Sequence, residues 1–518
     1  MAPSGGSTLA DPLAVELGAG SGDAGACGRS TLRVIYIDVD SLRPDHTEPY
    51  GYRRKITPNL KELAREAVVF DRYYCSDSPC MPSRAALSSG QFGITNGVIG
   101  HFGRASRFRF PDENVHPEDR PLLGGHLYRH GVYTASVSCF AERHLAYWFL
   151  GNFRESLKPT LSMGNDEDAA DVNEAAISWI RRHAHEDNWY LHLNYWDPHT
   201  DYVESREWAE RAGEAAPPPE WPDEEAIASH REVYGARSAL DLHGVAGESS
   251  PTPDTMPDAI QSRADFVKLI DGYDGEILYW DHHFGRLLGA LDDLGIREET
   301  AIIVSADHGE SMGENGSYAE HQLATEPIHR VPLIVRWPGL TENLEDDRRR
   351  CDALLYNLDL GPTLCELLDV PVPEGWHGVS FAAAVRGRPV EGRSHLILSH
   401  GAHSYQRAVR TRDHLYVRTL HPGCFRAEWE QLYNVTEDPY LTRNIFAESS
   451  GVADQAKVLL SDWWYEHAGV PGAFPDPMQT TLDVGPTFQF DPAAYIEHLR
   501  DTGRKDFAVD LEERLRGF

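Results

Sequence analysis

The sequence predicts an α/β fold, and two observations carry that prediction. From Thr31 onward, short apolar runs alternate with amphipathic segments, the pattern of strands laid down between packing helices. The clearest runs are VIYIDVD (34–40), VYTASVS (132–138), WYLHLNY (189–195), AIIVS (301–305) and PLIVRW (332–337). The second observation is the stretch 274–294, which sets Ile277, Trp280, Phe284, Leu287, Leu288 and Leu291 at helical spacing, as a crossover helix packed on a sheet requires.

The remaining elements follow in chain order. Residues 1–30 are rich in Gly, Ala and Ser and read as a disordered lead-in. Thr57 is expected to cap a helix that has Pro58 in its first turn and Leu60, Leu63 and Ala64 on one face. A first unit spans residues 31–390. Within it, residues 203–262 are acidic, Pro-rich and poor in aliphatics, and read as an inserted loop region. Residues 350–385 return to a helical pattern. A smaller α+β unit, residues 391–518, opens near Arg393 with the strand-like HLILS and DHLYVRTL.

Composition narrows the function classes. The 518 residues carry a formal charge of −33, which argues against a nucleic-acid backbone or an anionic membrane as the main partner. An anion handled by this chain needs a locally positive site. Seven Cys make no disulfide framework, and no run of 18 apolar residues exists. The N-terminal stretch has neither a basic n-region nor an apolar h-region, so the expected location is cytoplasmic.

Three strands end in ligand-type residues: Asp38-Val39-Asp40, Asp197-Pro198-His199 and Asp307-His308-Gly309. Open α/β sheets bind ligands beyond the carboxyl ends of their strands, where such groups can gather around one divalent cation. The string Cys80-Met81-Pro82-Ser83-Arg84, followed by AALSSG, places Cys80 at the N-terminus of a helix that Gly90 ends. There the free N–H groups and the macrodipole favour an anion, and Arg84 adds a bidentate donor for an oxyanion.

Cys80-x-Pro-Ser-Arg84 with AALSSG resembles the maturation signature of the type I, formylglycine-dependent sulfatases of the alkaline-phosphatase superfamily. DSLRPDHTEPYGY (40–52), TPNLKELA (57–64), YWDPHTDY (195–202), SADHGESMGE (305–314), RVPLIVRWPG (330–339), NLDLGPTLCELLDVPVPEGWHG (357–378) and QLYNVTEDPYLTRN (431–444) are similar to further family segments, in order. The resemblance implies a large, mixed, mostly parallel sheet flanked by helices and a smaller C-terminal subdomain. It implies oxidation of Cys80 to formylglycine by a maturation enzyme, and hydrolysis of an organic sulfate monoester such as a sulfated carbohydrate. One hydroxyl of the hydrated aldehyde would attack sulfur and the other would let the aldehyde reform.

By position, the resemblance implies Asp40, the modified Cys80, Asp307 and His308 as metal ligands. Oxygen-rich ligation suits Ca²⁺, and one imidazole leaves Mn²⁺ or Mg²⁺ open. Arg84, His199 (as general acid) and His321 would act in catalysis, and Asn96 would face the substrate. The chain departs from the family at three places. Ser41 follows Asp40 where a second acid is common, with Asp38 a candidate supporting residue. Ser138-Cys139 replaces a Gly-Lys pair, so Arg143 or His144 would have to supply the cation; His144 is the candidate substrate contact. The Asp, Asp-His metal set also fits a phosphonate monoester or phosphodiester hydrolase of the same superfamily, and the missing Lys a catalytically silent anion-binding member. Tyr195 or Trp196 could stack on a sugar, His400 and His403 could line the cleft, His282-His283 reads as packing or surface, and no Cys75–Cys80 disulfide is expected.

Overall fold

The computed structural model describes residues 32–109, 121–161, 167–202, 206–233, 241, 255–486, 488 and 491–516. The expected lead-in 1–30 and part of the 203–262 insertion lie outside the described residues. The main sheet has eight strands: β1 (Arg33–Val39), β2 (Val68–Phe70), β3 (Tyr133–Val137), β4 (Glu155–Leu157), β5 (Trp189–Tyr195), β6 (Thr300–Ser305), β7 (Leu333–Arg336) and β8 (Arg350–Cys351). Their spatial order is β8-β2-β7-β6-β1-β5-β3-β4. β1 sits at the centre, parallel to both β5 and β6, while β7 runs antiparallel to β6 and β2. Every residue of β1, β5 and β6 is buried, which explains why these strands read as nearly unbroken apolar runs.

Among the helices of this region are α1 (Pro58–Ala64), α2 (Cys80–Ser89), α3 (Ala169–His183), α4 (Arg206–Ala215), α5 (Glu224–Val233) and α6 (Arg263–Asp293). α6 begins at a reciprocal capping box between Ser262 and Asp265. It carries Trp280 and Phe284 into the main core and also works through its polar residues. Tyr273 Oη donates to Ser41 O at 2.7 Å and accepts from Arg43 N at 3.0 Å, pinning the turn after β1. Asp274 accepts from Tyr52 Oη and an Arg54 nitrogen and meets His46 Nδ1 at 2.8 Å. Helix α6 therefore fixes the loop that presents Asp40.

Two expectations need correction. Thr57 does stand at the N-cap of α1, but its hydroxyl accepts from Glu48 N and makes no capping bond to α1. Asp281 of α6 supplies that function, accepting from Asn59 N, Leu60 N and Asn59 Nδ2. The 203–262 insertion is not simply loop, because α4 and α5 lie within it. α4 buries only Ala209 and Ala212, and it approaches so closely that a Cβ on Gly275 would come within 2.8 Å of Ala209 N. A helix that docks through alanines on a glycine shows no aliphatic stripe in sequence.

The smaller sheet is formed by β9 (His395–His400), β10 (Tyr405–Thr411), β11 (His414–His421) and β12 (Glu430–Asn434), an antiparallel meander. Helix α7 (Ser450–His467) adds Ala453, Ala456 and Trp463 to its core. A two-residue strand, Asp77–Ser78, pairs in parallel with β9, so the segment leading into Cys80 is stitched to the C-terminal sheet. Among the described residues, no helix is long and apolar enough to cross a membrane.

Asp281→Ala should leave the backbone N–H groups of Asn59 and Leu60 at the start of α1 without their carboxylate acceptor, while Asn59 Nδ2 keeps Asp281 O. The expected loss is about 2–4 kcal/mol of stability, read by urea or thermal unfolding.

Candidate active site

The site is assembled at the carboxyl ends of the three central strands, where open α/β sheets leave a crevice. β1 delivers Asp38 and Asp40, β6 leads into Asp307 and His308, and β5 leads into Trp196 and His199. Helix α2 closes the fourth side with Cys80 as its first residue. Gly90 ends α2 at φ +62°, and a Cβ there would lie 2.5 Å from the Trp376 ring. That position demands glycine on both counts.

Arg84, one turn into α2, is the hub. Its Nε donates to Asp38 Oδ2 at 2.7 Å, and its two terminal nitrogens reach Asp40 Oδ2 at 3.1 Å and Asp307 Oδ2 at 2.8 Å. The four side chains are all but completely buried. The sequence expectation for Arg84 is a bidentate grip on a substrate oxyanion; in the structure Nε and one terminal nitrogen donate to Asp38 and Asp40, and the other terminal nitrogen, 2.8 Å from Asp307, makes an ion-pair contact without a hydrogen bond. Burial and the Arg84 charge act in opposite directions on Asp38, and Arg84 with His192 holds it below the usual carboxylate range. Burial lifts Asp307 well above that range; Arg84 opposes the lift, and Asp40 and Asp38 add to it.

Cys80 Sγ lies 3.1 Å from His308 Nε2. Burial, followed by the charges of Asp40 and Asp307, pushes the thiol well above its ordinary value, so the helix N-terminus does not yield a thiolate here. Donor atoms of Asp40, Cys80, Asp307 and His308 all fall within 4.8 Å of one another. Three buried carboxylates share one guanidinium, leaving uncompensated negative charge that suits a divalent cation. Asp38 takes no place in this donor set. Ser41, at φ +58°, holds the turn and donates its backbone N–H to Asp307 Oδ1 at 3.3 Å.

The opposite wall is histidine-rich. His321 packs 4.5 Å from His308 and 5.1 Å from His199 between ring centroids, and its Nδ1 meets Glu310 Oε1 at 3.2 Å. Thr200 Oγ1 donates to the same Glu310. His199 stacks on Trp196 at 3.8 Å, and the Arg143 guanidinium lies on that indole, 3.6 Å from its centroid. Arg143 pairs with Glu167, while its Nε and its other terminal nitrogen are buried with no hydrogen-bond partner. Burial pulls its pKa down to about 10, against the pull of Asp40 and Cys139. His144 stands beside it, 4.8 Å from the His101 ring, its pKa well lowered by burial, His101 and Arg143.

Other expected residues lie elsewhere. Asn96, expected to face the substrate, lies at the far end of α2 from Cys80, where its Nδ2 donates to Gln91 O and Ser89 Oγ and its Oδ1 accepts from Val98 N. Its hydrogen-bonding capacity serves the turn that closes the helix. His400 meets Ser78 Oγ at 2.8 Å, beneath the segment that leads into Cys80. Buried Tyr195 donates to Asn173 Oδ1 and is not open for stacking. His283 is buried and His282 exposed. Cys75 and Cys80 are not disulfide-bonded. Three contributors were not anticipated: Glu310, Arg43, which donates to Glu310 O, and His101, whose Nε2 accepts from Met81 N. Glu310, three residues past Asp307 in the same turn, was findable by that spacing; His101 has no local signal.

Comparison with known proteins identifies the family. The family model described as Sulfatase matches residues 33–370, and one described as N-sulphoglucosamine sulphohydrolase, C-terminal, matches 313–461. The ulvan-active sulfatase of Formosa agariphila is 23% identical over 439 residues, 80% of this chain and 77% of that protein. A solved structure described as in complex with its substrate D-glucosamine-2-N,6-O-disulfate aligns at a TM-score of 0.66 and 18% identity, covering 84% of this chain and 97% of the other. The phosphonate monoester hydrolase of Silicibacter pomeroyi aligns at 0.62 and 19%, covering 84% and 95%. Both structural likenesses establish the large mixed sheet with its smaller C-terminal sheet as the shared fold. The family match spans well over half of the chain and takes in Asp40, Cys80, Arg84, His199, Asp307, His308 and His321 together: the protein is a member of the sulfatase family, a sulfuric ester hydrolase.

Proposed function

We propose that this enzyme hydrolyses a carbohydrate sulfate monoester, using a formylglycine formed from Cys80 and a divalent cation held by Asp40, residue 80, Asp307 and His308. The observation that carries the proposal is the position of Cys80: first residue of α2, on the maturation signature, inside a buried donor set of two carboxylates and an imidazole. The ulvan-active relative and the disulfated glucosamine complex support a sugar as the alcohol. Ca²⁺ is the cation best matched to the carboxylates.

When bound, the cation would supply positive charge for a sulfate group, and a formylglycine hydrate at position 80 would supply a hydroxyl nucleophile with a second hydroxyl for release of sulfate. The remaining work belongs to the side chains. Arg84 is a positioning residue, holding the three carboxylates in one cluster against their mutual repulsion. His308 points Nε2 into the site because its Nδ1 donates to Gly309 O at 2.8 Å. Glu310, 3.2 Å from His321 Nδ1, orients the His321 ring beside His308 and His199. His199, held through Nδ1 on Thr200 O at 2.7 Å, would exchange a proton with the leaving oxygen through Nε2. Trp196 and Arg143 fix its ring plane.

The decisive experiment has two parts. The Cys80 peptide of active enzyme should have the mass of an aldehyde in place of a thiol, and an unmodified thiol in active protein would overturn the mechanism. Aryl sulfate should then give a higher kcat/KM than aryl phosphonate or a phosphodiester; the reverse order would make the phosphonate monoester hydrolase reading correct.

Arg84→Lys should lower kcat by about 10²-fold or more, because one ammonium cannot bridge three carboxylates. Chelation should abolish turnover and lower Tm, and Ca²⁺ should restore both. A carboxyl with a raised folded-state pKa, as at Asp307, contributes stability that is complete below its unfolded value of about 4 and lost as pH rises through the folded value. The cation offsets that loss, so the Ca²⁺-induced gain in Tm should be large at neutral pH and shrink as pH falls towards 4.

A further inference from the structure

A second donor set overlaps the first. One ligand atom each from Cys80, His199, His308 and His321 also falls within 4.8 Å of the others, and all four residues are buried. We infer that the protein with Cys80 still a thiol carries a soft metal site, in which Cys80 Sγ and the three imidazoles bind Zn²⁺ or a cation of its class.

The ring orientations favour this set. His308 Nδ1 lies 2.8 Å from Gly309 O, His199 Nδ1 lies 2.7 Å from Thr200 O, and His321 Nδ1 lies 3.2 Å from the Glu310 carboxylate. Each contact fixes the proton on Nδ1 and makes Nε2 the basic nitrogen, the tautomer that a metal ligand requires. An oxygen acceptor behind a ligating imidazole is also the arrangement that orients such rings and raises their basicity. One sulfur and three nitrogens match a tetrahedral zinc-type ion, for which neighbouring donors stand about 3.3–3.6 Å apart. Cys80 Sγ and His308 Nε2 are already 3.1 Å apart.

Binding would replace the thiol proton, which leaves to solvent, with a metal–sulfur bond, and no oxidant or reductant is needed. The two sets share Cys80 and His308, so they exclude each other. Carboxylates favour the hard cation and sulfur with imidazoles the soft one. Loss of the sulfur on conversion of Cys80 to an aldehyde dismantles the soft set and returns His308 to the carboxylates. The inference rests on the thiol form alone, independently of the sulfatase chemistry.

The test is a Co²⁺ titration of full-length protein purified with Cys80 unmodified. The expected spectrum has tetrahedral d–d bands and a thiolate-to-cobalt charge-transfer band, both lost when Zn²⁺ is added. His199→Ala and His321→Ala should each weaken Co²⁺ binding by at least about tenfold. Asp40→Asn should keep the charge-transfer band whatever its effect on affinity, since Asp40 belongs only to the carboxylate set. Co²⁺ bound without the charge-transfer band in the unsubstituted chain would overturn the inference, and so would binding that Asp40→Asn abolishes while both histidine variants retain it. The unsubstituted spectrum decides even if a variant fails to fold.

Discussion

The architecture converges on the ion cluster of Arg84 with Asp38, Asp40 and Asp307. It joins the central strand, its neighbour β6 and the start of α2 through contacts of 2.7–3.1 Å, with all four side chains out of reach of water. Removing one partner from a buried ion pair costs about 3–5 kcal/mol, because the survivor keeps its desolvation penalty. With Arg84 removed, the survivors would be like charges. The polar work of α6 follows from the same constraint: Tyr273 and Asp274 hold the backbone that carries Asp40, because a misplaced carboxylate in this cluster has no solvent to relax into.

Much of this was readable in sequence, for a physical reason. Strands buried on both faces must be apolar along their whole length, so β1, β5 and β6 announced themselves, and their ends marked the crevice. The run from Cys80 to Gly90 could be read as a helix because Pro82 and Gly90 punctuate it. Ligand-type residues at strand ends are few, and Asp40, Asp307 and His308 were all among them.

What escaped the sequence depends on partners distant along the chain. Arg84 looked like an anion donor, since nothing local reveals that three carboxylates would surround it. Asn96 looked available because its acceptors, Gln91 O and Ser89 Oγ, meet it only once the turn after α2 has closed. β10 reads as polar, yet its arginines are buried: Arg407 pairs with Asp476 and Arg410 with Glu326. A charged residue paid for by a remote partner hides a strand as effectively as alanines on a glycine hide α4.

The stitching of Asp77–Ser78 to β9 bears on protein synthesis. Ser78 bonds His400, 322 residues further along the chain, and Cys80 in the folded protein is only 1% exposed. At about 5–20 residues per second, a ribosome needs roughly 15–65 s to travel between those two positions. During that interval the nascent chain displays the segment before Cys80 without the strand it later pairs with. The pairing that fixes the segment before Cys80 therefore forms only late in synthesis, after position 400 has emerged, and pausing between positions 80 and 400 lengthens the time that this segment spends without its partner strand.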